Sequence, residues 1–187
     1  MTLKASSAVL LAAALAVTAE TSSAQDKGKT AAAELTSASQ AALTQLYASV
    51  PLAKKLGPQA KAILVFPKVT KAGLGIGGQY GEGTLLQKGK AIAYYKTTGA
   101  SFGLQAGGQQ YGYAMFFMNQ NALAQLDKAD GFEVGVGPSV VMVDEGMAKT
   151  ATTTTLKDDI YAFVFGQKGL MAGLGIQGNK IAKITPK

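Results

Sequence analysis

Three constellations in this 187-residue chain have the residue types for chemistry. Gly73-Leu74-Gly75-Ile76-Gly77-Gly78 satisfies G-x-G-x-x-G, a pattern that cradles a pyrophosphate when it opens a helix after a strand and is followed about 20 residues on by an acid. Here Gln79-Tyr80-Gly81-Glu82-Gly83 follows, which reads as turn text, and no acid lies between Glu82 and Asp127. Gly99-Ala100-Ser101-Phe102-Gly103 satisfies the nucleophile-elbow pattern G-x-S-x-G. An elbow serine needs a base, usually histidine, and the chain has none. A Ser-Lys dyad would fall to Lys96, the nearest lysine in sequence, and would require burial to depress its pKa. The carboxylates group as Asp127, Asp130 and Glu133, as Asp144-Glu145 and as Asp158-Asp159. Paired acids can do acid-base work or hold a hard cation, calcium being the candidate here. Their spacing does not match a calcium loop, and they read as a helix-to-strand turn and as solvated hairpin ends.

The lysines form a fourth group. Lys54, Lys55, Lys61, Lys68 and Lys71 fall in one stretch with no acid between Glu34 and Glu82, so that stretch is electropositive in any fold. A lysine near an anionic bilayer contributes about 1 kcal/mol, enough for several to hold a protein peripherally at low salt. Nucleic acid is a poorer partner, because readers of base edges and phosphates favour arginine. All 18 basic residues are lysine, against 11 acids, for a net charge of +7. Cys, His and Trp are also absent. These absences exclude disulfides, thiolate nucleophiles, histidine bases and the usual zinc and haem ligands. No catalytic residue, cofactor or metal is expected.

The elements that must position these residues begin after a segment that reads as a leader. Lys4 supplies a positive start, Ala8 to Val17 is an uncharged apolar run, and Ser22-Ser23-Ala24 ends in small residues. That length suits a secretory leader's apolar core of about 7–15 residues rather than a span of about 20. Residues 1–24 are therefore expected to be a secretory signal peptide cleaved after Ala24, or alternatively after Ala19. The product would be exported: periplasmic in a Gram-negative cell, otherwise extracellular. Residues 25–30 are polar and read as a flexible linker. Residues 31–187 are expected to make one domain.

Leu35, Ala38, Ala42, Leu46 and Val50 draw one apolar stripe on a helix over 31–50. Ser49 before Pro51 signals a second, short helix that Gly57-Pro58 stops. Strands are expected at 63–66, 73–77, 91–96, 101–105, 111–118, 133–143 and 160–165, with one later helix over 119–129. Thr150 to Thr155 is β-prone by composition. Ala72-Gly73-Leu74-Gly75-Ile76-Gly77-Gly78 is echoed as Ala172-Gly173-Leu174-Gly175-Ile176-Gln177-Gly178, which suggests two equivalent strands of one sheet. Glycine at alternate positions bares one strand face, so another backbone, a helix or an apolar ligand can come close.

Four ordered blocks carry a family resemblance: Ala60-Lys61-Ala62-Ile63-Leu64-Val65-Phe66-Pro67; Lys71-Ala72-Gly73 through Gly83; Thr98-Gly99-Ala100-Ser101-Phe102-Gly103-Leu104-Gln105-Ala106-Gly107; and Gln167-Lys168-Gly169-Leu170-Met171-Ala172-Gly173. Together they resemble the SYLF domain family over residues 40–185. The resemblance implies a non-enzymatic phospholipid-binding module: eukaryotic members bind phosphoinositides and some bundle actin, and exported bacterial members are described as lipid-binding. Neither the actin role nor a phosphoinositide preference transfers to an exported single domain, which would meet the anionic phospholipids of its own envelope.

The fold class expected is α+β, with an N-terminal helical segment and one later helix packed on a curved, mostly antiparallel sheet, a sandwich or partial barrel. The function expected is binding of anionic membrane surfaces through Lys54, Lys55, Lys61, Lys68 and Lys71, with Phe66 as an apolar contact. A structural or protein-interaction module of the envelope is the competing expectation.

Overall fold

The computed structural model describes residues 10–150, 156–166, 169–170, 176 and 178–187. Helix α1 (Leu10–Ser49) is followed directly by α2 (Pro51–Leu56). Pro51 occupies the first turn of α2, where its missing N–H costs nothing. Ser49 does not start that helix: its hydroxyl donates back to the carbonyls of Gln45 and Leu46, and Val50 is the N-cap. Gly57-Pro58 does not stop the chain either, since Gly57–Gln59 tightens into a 3-10 turn. Residues 25–30, expected as a linker, are helical and continue α1, which also crosses both candidate cleavage points.

From Ala62 the chain is dominated by two long antiparallel strands, β1 (Ala62–Gln87) and β2 (Lys90–Phe117). Five segments expected as separate strands, and the supposed turn Gln79–Gly83, lie inside these two. The true turn is Lys88-Gly89, whose φ angles of 49° and 78° give the left-handed pair that a two-residue hairpin needs. Next come α3 (Gln120–Leu123), a 3-10 turn (Ala124–Asp127), β3 (Phe132–Glu133), β4 (Val140–Met142), α4 (Glu145–Thr150), β5 (Ile160–Gly166), β6 (Gly169–Leu170) and β7 (Lys180–Ile184). Asn119 caps α3 by accepting from the Ala122 N–H at 2.8 Å. The single strand expected over 133–143 is broken into β3 and β4 by Gly135 and Gly137, both at positive φ. The helix expected over 119–129 is divided into α3 and a 3-10 turn, and α4 is a further short helix. Residues 151–155 and most of the second glycine echo (171–175 and 177) lie outside the described residues.

Among the described residues the strands form one seven-stranded sheet, antiparallel except where β4 runs parallel to β5, with order β3-β7-β2-β5-β4, β1 on the other side of β2 and β6 paired with β5. The first half of β2 (Tyr94–Thr98) pairs with β7, and its last part (Gly112–Phe117) pairs with β5. One hairpin therefore serves two layers. It bends where the register shifts between Gly73 and Gly75. Beyond the bend β1 comes back against itself: a Cβ on Gly77 would strike Ala72, one on Gly81 would lie 2.8 Å from the Lys68 carbonyl oxygen, and one on Gly83 would strike the Val65 carbonyl oxygen. At Gly77, Gly81 and Gly83 the bared face meets the strand's own backbone rather than a helix.

This bend divides the core into two clusters. Inside it lie Leu64, Phe66, Val69, Leu85, Tyr95, Tyr111, Tyr113, Phe132, Ile160 and Ile181, closed at one end by Ala122 and Leu126. On the outer face Ile63, Val65, Phe116, Phe163 and Phe165 pack under α1 and α2 through Leu43, Leu46, Val50, Leu52 and Leu56. Period-two alternation assigns the two sets: Leu64 and Phe66 face in, Ile63 and Val65 face out. The buried face of α1 runs through Ser39, Ala42, Leu43, Leu46 and Val50, a rotated version of the expected stripe, with Ala38 exposed. Ser39 sits on the seam where the halves of β1 meet, hydrogen-bonded to the Val65 carbonyl at 3.2 Å and to the Thr84 hydroxyl at 3.1 Å.

Substituting Gly83→Ala places a methyl where the Val65 carbonyl and the Phe66 ring already are. We expect it to lower unfolding free energy by about 1–3 kcal/mol, as overpacking does, read as a lower denaturation midpoint in urea. Gly89→Ala, whose Cβ would meet nothing within 4 Å, tests φ strain alone at the turn and should cost less.

Candidate functional site

Each sequence constellation has a defined place. Gly73–Gly78 runs within β1, so it opens no helix and presents no N-terminal amides to a phosphate. Ser101 lies mid-strand, paired with Gly77, not on a strand-to-helix elbow. Five residues of extended strand, about 16 Å, separate it from Lys96, whose cross-strand neighbour is Glu82.

The carboxylates are occupied with chain geometry. Asp144 accepts from the Met147 N–H at 2.7 Å and so caps α4. Asp159 accepts from the Asn119 side chain at 2.6 Å and from the Ser139 N–H at 3.0 Å, joining three segments, and these bonds hold its pKa below the usual value. Asp158 lies beside the Tyr161 hydroxyl, which accepts from its N–H at 2.8 Å. Among the described residues no cluster of acids could hold a metal ion.

A buried polar chain runs through the inner cluster, which sequence reading missed. Tyr111 donates to Gln79 Oε1 at 2.6 Å, and Gln79 Nε2 donates to Asn179 Oδ1 at 2.5 Å. Gly99 leaves room for it: a Cβ there would strike the Asn179 side chain. Burial pushes Tyr111 up to about 12 and Tyr113 well above its ordinary value. These groups tie β1, β2 and the entry to β7 together across 100 residues of sequence. With every member buried, they cross-link the layers and present nothing to a substrate.

The lysines resolve into separate places. Lys54 and Lys55 are exposed on α2, and Lys61 is exposed just before β1. Lys68 and Lys71 lie further along β1, about 20–30 Å of extended strand from Lys61, so the sequence cluster is not one patch. Phe66 is not a surface residue: it is 0% exposed and stacks on Tyr113 at 5.5 Å. It faces into the bend rather than to solvent.

The hairpin supplies what the sequence grouping lacked. Gln87 Nε2 donates to the Lys61 carbonyl at 3.3 Å, and Gln40 Nε2 donates to the Gly89 carbonyl at 2.9 Å. Exposed Lys88 and Lys90 at the turn are thereby held beside Lys61. A bulge follows: Leu86 pairs with Ala91 and Leu85 with Ala93, leaving Ile92 as the extra residue. A bulge re-aims a side chain, and Ile92 projects to solvent, 52% exposed. The Lys88-Gly89 turn signal was present in the sequence; the bulge was not legible.

Residues 98–185 match the model of the Ysc84 family, described as Las17-binding protein actin regulator. The matched stretch lies within residues 40–185, over which the sequence blocks resemble the SYLF domain family. No match is found among curated proteins.

The buried tyrosines fix a pH response. Unfolded, Tyr111 ionises near its ordinary 10.0; folded, it keeps its proton to about 12. Its contribution to stability is full below pH 10 and is lost as pH rises through about 12. The urea midpoint should therefore hold steady up to about pH 9 and fall above pH 10, with a shallower fall in Tyr111→Phe.

Proposed function

Taking the Ysc84/SYLF match as premise, we propose that this protein is a non-enzymatic, exported module that binds anionic phospholipid surfaces through its hairpin end. The observation that carries this reading is the hairpin end, where Gln87 bonds to the Lys61 carbonyl, Lys61, Lys88 and Lys90 are exposed, and Ile92 follows them outward at the bulge. Lys54 and Lys55 on the preceding α2 add to the same charge. Lysine is a compact, hydrated charge that tolerates varied headgroups. An exposed aliphatic beside it can enter the headgroup boundary. No helix among the described residues is long and apolar enough to cross a membrane, so the contact proposed is peripheral. Export rests on the residue 1–24 leader; an exported chain meets no cytoplasmic actin, so the actin role in the matched family's description is not carried over, and lipid association is carried over from the resemblance of the sequence blocks to the SYLF domain family.

Co-sedimentation of the chain from Gln25 with neutral and anionic vesicles, at about 50 and 500 mM salt, tests it; screening shortens from about 14 to 4 Å across that range. Binding should be confined to anionic vesicles and be lost at high salt. Each Lys→Gln change at 61, 88 or 90 should lower partitioning about fivefold at low salt, near 1 kcal/mol per lysine, and Ile92→Ser should lower it further. Equal binding to neutral vesicles, or none to either, would transfer the function to a protein partner in the envelope.

A further inference from the structure

A second feature lies midway along α1. A groove of about 800 Å³ opens between that helix, β2 and the tail after β7. Its volume falls within the roughly 300–1,000 Å³ of small-molecule sites. Helix positions 28, 32 and 36 share one face, four residues apart. Gly28 brings the helix against the tail: a Cβ there would lie 3.2 Å from the Pro186 carbonyl oxygen. Thr36 exchanges a hydrogen bond with the Tyr94 hydroxyl at 3.0 Å, holding that ring as a wall. Ala32, between these two contacts, is too small to fill the space, and with Ile184 and Pro186 it gives an apolar floor. A glycine inside a helix costs about 1 kcal/mol relative to alanine, and here it lets the tail close one end of the groove.

The rim has the opposite character. Lys27 and Lys29 flank Gly28 on either side of the helix, and Lys187 stands across from them on the tail. All three are exposed, and among the described residues none meets a carboxylate within the 4.0 Å of an ion pair. Asp26, the nearest acid in sequence, is not part of the lining. An apolar trough with cations at its mouth is complementary to one occupant, an acyl chain ending in an anionic head.

We propose that this groove binds a single long-chain carboxylate, a fatty-acid-like monomer, with its chain along Ala32, Tyr94 and Ile184 and its head at Lys27, Lys29 and Lys187. The site is distinct from the hairpin end and does not depend on bilayer binding there. It would let one protein hold a lipid molecule apart from the surface it touches.

The test titrates the chain from Gln25 with dansylated undecanoic acid below its micelle concentration, with the methyl ester of the same probe as the uncharged comparison. Saturable one-to-one binding is expected, at least tenfold weaker for the ester and for Lys27→Glu/Lys29→Glu, and lost in Ala32→Trp, which fills the trough. Circular dichroism checks that Ala32→Trp folds; should it not, the exposed lysine pair alone decides. The variant Lys61→Glu/Lys88→Glu/Lys90→Glu should keep probe binding whatever happens to its vesicle binding, so the two readings fail separately. The proposal is overturned by absence of saturable binding, by equal binding of acid and ester, or by affinity indifferent to the lysine pair. A dimer that Ala32→Trp dissociates would overturn it too, by assigning the groove to a second copy.

Discussion

The architecture depends on a close approach of one strand to itself. β1 bends between Gly73 and Gly75 and returns, so that Gly77, Gly81 and Gly83 lie against the backbone of residues 65–73. A side chain at these contacts would hold the two halves apart. Because they close, β2 is carried into two layers and can pair with β7 in one and β5 in the other. The inner cluster of Phe66, Tyr95, Tyr111 and Tyr113 exists only between those layers. A chain without cysteine has no disulfide to supplement such a core, so apolar burial must offset chain entropy without one.

Polar groups secure the same bend. Ser39 bonds to both halves of β1 from the outside, while Gln79, Tyr111 and Asn179 link the layers from within. Hydrogen bonds of this kind add little net free energy each, about 1 kcal/mol, but a partner left buried and unpaired costs about 1–3. They therefore specify register more than they stabilise. Cross-linking from the interior leaves the exterior free to vary, and both proposed lipid contacts are exterior: lysines around Ile92 at the hairpin end, and lysines around an apolar trough at the tail. Each joins long-range attraction, which salt screens, to apolar burial, which salt does not.

Much of the fold was legible. The helical stripe before Pro51, the buried strand text at 63–66 and 160–165, and the mostly antiparallel α+β class follow from periodicity and turn residues, and the structure bears out that class. Lengths were not legible. Pro67 and the glycine runs read as strand ends, yet a bulged strand tolerates them: the register shift between Phe66 and Val69 absorbs the proline, and the bend absorbs the glycines. The turn signal lies at Lys88-Gly89, whose glycine allows the left-handed pair, while the glycines of Gln79–Gly83 serve close strand packing instead.

The sequence by itself determined the chemistry on offer, because composition is context-free: all-lysine cations, no cysteine or histidine, and an order of blocks that resembles the SYLF domain family. Only the tertiary structure decided which of those groups meet. Lys68 and Lys71 were grouped with Lys61 by sequence and separated by an extended strand, whereas Lys88 and Lys90 were joined to it by a hairpin. Phe66 was turned inward and Ile92 outward. The physical reason is the strand's period of two. A single residue of bulge or bend reverses which side chains face the core, and those shifts are set by contacts between segments far apart in the chain.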